Sequence, residues 1–446
     1  MCSHPHLPRV LLVTVLTLVV LSTACSGLRQ AESPVPLAES FVAQQNDARE
    51  TGGIASTEQV VLEISAWKGN AEEPAGLPEL IERFESEHPG VSIELTYISR
   101  IDSELVLGGR LGDGDPPDVI MTDMQLVDLF SREDLLVDFG IDTEWHSRLP
   151  EDLRSALTIG DSSYIMPFES IGMGNFVNVD LLARAGITQP PLTVDELLVA
   201  CHRLADADIK PLIFTGGFSA ALFLVANGLE GAGSSAVALG SGEARFADSA
   251  SFVAGVDLIR DLIAARCFDP EEQAGLDSWS TALTAFSEGQ VAMMPQGAWN
   301  IAAFSEVDDL NYVFTPIPSA RSMGVALDLF GIGWSIPVGA EHSATARTFV
   351  DWCALPQQIQ VVLDAEAAYT PFDDGSSGTP RLARAYDEAR ASGAAISYPV
   401  ALLQWPSELE TEIWDSLTAL LLDPTLPTVD VLSRWDRVVD EAAADG

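Results

Sequence analysis

Nine tryptophans and 66 aspartates and glutamates are the side chains of this 446-residue sequence best suited to chemistry. Trp67, Trp279, Trp299, Trp334 and Trp405 fall where the hydrophobic pattern breaks into turns, and the carboxylates Asp123 and Glu169 follow apolar strand-like runs. An indole offers a flat apolar platform and a carboxylate a strong hydrogen-bond acceptor. Together they suit a ring with C–H faces and a hydroxyl rim, such as a pyranose, and each tryptophan would equally serve to cap a core. Paired carboxylates also perform glycoside hydrolysis when about 5–10 Å apart, and no local motif marks such a pair. The six histidines are scattered with no H-E-x-x-H, and neither a G-x-S-x-G elbow nor a Walker-A loop occurs, so no metal and no cofactor is expected. A binding protein is favoured over an enzyme.

Net charge is −43, and the only lysines are Lys68 and Lys210. Without a basic face there is nothing to displace counterions from a phosphate backbone, so nucleic acid is excluded as a partner. The acidity also suits a polyamine ligand.

Val10 to Leu21 is an apolar run after the single cation Arg9, shorter than the roughly 20 residues of a membrane span. It reads as a signal-peptide core within residues 1–25. The LSTAC stretch resembles a bacterial lipobox, with Cys25 as the lipidated residue and an anchored, extracytoplasmic protein as the outcome. Residues 26–57, with one aromatic, read as a flexible tether. Cys201, Cys267 and Cys353 remain for the body; a bridge between Cys201 and Cys267 and a buried thiol at Cys201 both stay open.

The elements that must position the aromatics begin at VVLEISAW, residues 60–67, a buried strand. Leu77, Leu80, Ile81 and Phe84 keep the i, i+3, i+4, i+7 spacing of an amphipathic helix, and Val91, Ile93, Leu95 and Tyr97 alternate as a strand. Strand, helix and strand make a βαβ unit with parallel pairing. After a loop containing Gly112 and Gly114, a strand at 118–121 delivers Asp123 to its carboxyl end, where open α/β sheets hold ligands. Further helices are expected at 124–131, 179–186, 193–205, 251–266, 279–288, 343–353, 381–391 and 407–421. Strands are expected at 163–167, 174–178, 211–215, 291–295, 312–317 and 329–336. Thr193 with Glu196 is a capping box.

Four blocks, in order, resemble the extracellular solute-binding proteins of ATP-driven importers, in the group that handles sugars. They are LPELIERFESEHPGVSIELTYI with GDPPDVIMTD, then YIMPFESIGMGNFVNVDLLARAGITQPPLTVDELL, then AFSEGQVAMMPQGAWN, and finally FGIGWSIPVGAEHSATARTFVDW. The resemblance implies a two-lobed α/β fold of the periplasmic-binding type (type II), with parallel-rich sheets flanked by helices and a hinge between the lobes. Lobe 1 would comprise 58–168 plus 317–356, and lobe 2 169–316 plus 357–446. A sugar would be captured by hinge closure and delivered to permease subunits, by a chain that acts as a monomer. By the same resemblance Trp299 and Trp334 stack on the ligand, Trp67 and Trp279 flank it, and Thr215 and Phe218 line the second lobe, with Asp123 and Glu169 as acceptors. The alternatives are a non-sugar solute, either a polyamine or a polyol phosphate, and a sensory lipoprotein of the same fold.

Overall fold

Alternation of apolar residues sets the framework, and the computed structural model describes it for residues 59–70, 73–274, 280–397 and 405–445. The signal core, Cys25, the tether and Trp279 lie outside the described residues. Strand β1 (Val60–Ala66) runs parallel to β2 (Val91–Tyr97) through helix α1 (Leu77–Glu87), and parallel to β3 (Val119–Thr122). The expected βαβ unit therefore forms. Leu77, Leu80 and Phe84 are the buried face of α1, as their spacing predicts. Between β2 and β3 lies helix α2 (Arg100–Asp113), where the sequence reading placed only a loop. Ser99 caps its start by accepting from the Asp102 amide, and Gly114 ends it in the left-handed conformation. Helix α3 (Met124–Arg132) follows, with Asp123 as its N-cap.

A short hairpin, β4 (Thr158–Ile159) with β5 (Ser162–Ser163), precedes the long strand β6 (Met166–Asn178), which is buried throughout. Two separate strands were expected here; residues 168–173 between them are paired antiparallel to β10 (Ala326–Ser335) and so belong to one strand. With β7 (Lys210–Leu212), β8 (Val291–Gly297), β9 (Tyr312–Thr315) and β11 (Ala395–Ser397), these strands give a nine-stranded sheet among the described residues. Its path is β2-β1-β3-β10-β6-β8-β7, with β9 on β6 and β11 on β10. Pairing is parallel toward both ends and antiparallel where β3, β10, β6 and β8 meet, since β6 and β10 cross from one half to the other.

The apolar interior forms two clusters. The first gathers α1, α2, α3, β1 and β3 with residues 282–314 and 326–389. The second gathers residues 173–268 with the helices Ser407–Leu422 and Thr428–Asp445. Residues 359–389, expected with the second lobe, pack in the first cluster: the helix Pro356–Glu366 has proline at its start and buries Ile359, Val362 and Leu363 there. In the second cluster the helix Gly216–Ala232 is buried almost all round, with Cys201 bonded to Cys267 beside it. The Cys201–Cys267 bridge, open in the sequence, is thus formed across 66 residues, while Cys353 is a buried free thiol.

Candidate functional site

The seam between the two clusters is where the expected residues must be sought. On the first side, β3 ends at Thr122 and hands the chain to Asp123, whose Oδ1 accepts from the Leu126 amide at 3.0 Å. Its Oδ2 accepts from Arg100 Nε at 2.5 Å, and Arg100 Nη2 donates to Gln125 Oε1 at 2.8 Å. The same guanidinium lies 5.7 Å from the centre of the Trp67 ring, which is itself 8% exposed. Burial alone would lower the pKa of Arg100; Asp123, with Glu410 and Glu104 farther off, holds it above its ordinary value. Arg100 and Gln125 were not singled out in the sequence. The signal for Arg100 was its place behind Ser99, the cap of a helix hidden by apparent loop glycines.

On the second side, Thr215 precedes the helix Gly216–Ala232 and is buried, its Oγ1 accepting from Gln296 Nε2 at 3.2 Å. Phe218, half-buried on the first turn, meets Trp414 edge-on with ring centres 5.7 Å apart. That meeting requires Gly217: a Cβ there would lie 2.3 Å from the carbonyl oxygen of Trp414. Trp299, also half-buried, packs against both clusters. Its indole lies across Gly297, where a Cβ would come within 2.2 Å of the ring. Trp299 thus belongs to both clusters; Asp123, Arg100 and Gln125 lie on the first side, and Phe218 and Trp414 on the second. Arg132 of α3 reaches Glu408 of the helix Ser407–Leu422 at 3.9 Å, which ties the two sides at the rim.

Two expected ligand residues serve other ends. Trp334, 1% exposed, packs between Phe168 and Phe349, with ring centres 5.4 and 5.9 Å away, inside the first cluster. It pairs across the sheet with Met121 and Met166, so its position on a buried central strand makes it core. Glu169 is fully buried and accepts from Lys68 Nζ at 2.6 Å, while Lys68 also donates to Glu366 at 2.9 Å. Lys68 is itself buried, 2% exposed. The three charges join the end of β1 to the crossing strand β6 and to the helix Pro356–Glu366.

One lysine among several carboxylates leaves an excess of buried negative charge. Burial would lower the pKa of Lys68, but Glu169 and Glu366 raise it above its ordinary value. Burial raises the Glu169 carboxyl, with Lys68 opposing. Nearby Glu73 is pushed up to about 7 by burial, with Lys68 lowering it and Glu366 and Glu169 adding to the rise. Among the described residues no cluster of His, Cys, Asp and Glu could hold a metal ion.

A family model described as bacterial extracellular solute-binding protein matches residues 68–360. No curated protein matches the chain by sequence. Among solved structures, a chitin oligosaccharide binding protein aligns with TM-score 0.72 at 21% identity, over 87% of this chain and 100% of its own. The GacH receptor of Streptomyces glaucescens GLA.O, solved unliganded and with acarbose, aligns with TM-score 0.70 at 18% identity, over 87% and 99%. A binding protein named RafE, in complex with raffinose, gives 0.68 at 18% identity, over 86% and 100%. At these identities the likeness is one of fold.

Proposed function

We propose that this chain, which belongs to the bacterial extracellular solute-binding protein family, captures a carbohydrate in the seam between its two clusters and hands it to the permease of an ATP-driven importer. The observation that carries the reading is Trp299: a half-buried indole packed against both clusters, with fixed polar groups at Asp123, Arg100 and Gln125 on one side. Indole faces receive the C–H face of a pyranose, and charged groups already locked by neighbours receive its hydroxyls at little ordering cost. The ligands printed for structures of the same fold, chitin oligosaccharide, acarbose and raffinose, are all carbohydrate in kind and support the reading. Capture proceeds by a shift toward the closed arrangement, because a ligand that touches both sides favours the state in which both are near. The two lobes that move are those expected from the sequence, amended so that residues 282–314 and 359–389 travel with the first.

The chain works outside the cytoplasm, as its family does. Lipidation at Cys25 after a cleaved leader would hold it at the membrane, with residues 26–57 as the tether. A Cys201–Cys267 bridge suits that oxidising side of the membrane. Trp67 and Asp123 on the first side, Phe218 on the second and Trp299 against both are the proposed ligand contacts; Thr215, buried against Gln296, supports the second side, while Trp334 and Glu169 hold the scaffold.

A thermal-shift panel of mono-, di- and oligosaccharides with spermidine and glycerol phosphates tests the reading, since a ligand stabilises by RT ln(1 + [L]/Kd). A sugar at 100 times its Kd should add about 2.7 kcal/mol to the stability. A shift with spermidine or glycerol phosphate and none with any sugar would overturn it.

A further inference from the structure

The cations of the seam are already spent. Lys68 is enclosed by Glu169 and Glu366, and Arg100 is held by Asp123 and Gln125 with one face toward Trp67. Arg132, at the rim, lies 2.8 Å from Asp128 and 3.9 Å from Glu408. The start of α3 offers no seat for an anion, because the carboxylate of Asp123 already accepts from its Leu126 amide. A ligand carboxylate or phosphate entering here would lose its water without gaining a counter-charge, which is costly. It would also arrive against the field of a chain with net charge −43, which slows encounter with anions and speeds it for cations.

Resting on the carbohydrate reading, we infer that the seam selects by charge: it takes neutral or amine-bearing sugars and rejects uronic acids and sugar phosphates. The selecting groups are the carboxylates that outnumber the guanidiniums. Asp123 neutralises Arg100 directly, and Glu104 and Glu410 act on it from farther away. An amine on a sugar ring meets acceptors and a guanidinium already neutralised by Asp123, whereas a C6 carboxylate meets an excess of like charge.

Matched trisaccharides test this: α-1,4 and β-1,4 glucose trimers, each as the neutral sugar, the 2-amino-2-deoxy form and the C6-oxidised uronate, titrated calorimetrically into the full chain at 50 and 500 mM salt. In the linkage that binds, the neutral and amino forms should bind and the uronate should be at least tenfold weaker. That gap should narrow at the higher salt, because screening weakens interactions between accessible charges. Removing two of the repelling charges with Glu104→Gln and Glu410→Gln together should improve the uronate-to-neutral affinity ratio by about threefold. A uronate that binds as well as the neutral form, or a gap indifferent to both salt and the double substitution, overturns the charge selection while the carbohydrate reading stands. If none of the six trimers binds, the carbohydrate reading falls, and the selection with it.

Discussion

Trp299 and Trp334 follow glycine in two similar stretches, GAW and GIGW, and look alike in the sequence, yet the fold uses them in opposite ways. Trp334 sits on β10, which is paired on both sides by β3 and β6, and its ring fills the first cluster between Phe168 and Phe349. Trp299 stands beyond the last residue of β8, past Gly297, where the strand has ended and the indole can fold back across the glycine toward the seam. An aromatic after a glycine is therefore core or platform according to whether the sheet continues around it.

Substitution separates the two roles. Trp334→Ala should cost about 3–5 kcal/mol of unfolding free energy, the range for truncating a large buried ring, measured by denaturant titration. Any effect on binding should disappear once the folded fraction is accounted for. Trp299→Ala should leave the unfolding cooperative and within about 1 kcal/mol of the parent, since a half-buried side chain forfeits less packing than a core one. Equal stability losses in the two variants would erase the distinction.

The charged triad sharpens the same contrast, because it belongs to the scaffold side. Lys68→Ala leaves Glu169 and Glu366 buried without their cation and should cost roughly 3–5 kcal/mol at pH 8. The loss should shrink at pH 5, where protons replace the missing charge. Serine at both Cys201 and Cys267 should lower stability by roughly 2–4 kcal/mol in the second cluster without changing ligand affinity, by calorimetry. The smallest effect is expected at Glu73. Its carboxyl binds a proton more tightly folded than unfolded, so its contribution to stability is greatest below about 4.5 and declines as pH rises to about 7. Glu73→Gln should flatten the pH profile between those limits, and a steeper fall in the variant would contradict the assigned sign.

Much of this was legible because periodicity and caps are local. The buried face of α1 and the Thr193–Glu196 capping box appear as read, and β2 forms where it was read, although Tyr97 at its end is exposed. What escaped detection was set by tertiary context. The helix Gly216–Ala232 is apolar on every side, so it carries no amphipathic stripe, and its two leading glycines looked like a turn. Helix α2 was masked by glycines in its interior and at its end, and the helix Thr428–Asp445 passed without notice. Among the proposed contacts, Asp123 and Trp299 are read from strand exits. The neutralising partner Arg100 is not, because it comes from a helix that no pattern announced. Glu169 was read after a strand rather than within β6, and its partner was missed: a buried carboxylate needs a cation, and Lys68 lies 101 residues earlier.

The most direct test is a crystal structure of the chain grown with whichever oligosaccharide gives the largest thermal shift. A pyranose ring lying on the Trp299 indole, with hydroxyls on Asp123 or Arg100, is the expected result. A sugar seated elsewhere, with Trp299 and Asp123 untouched, would contradict it.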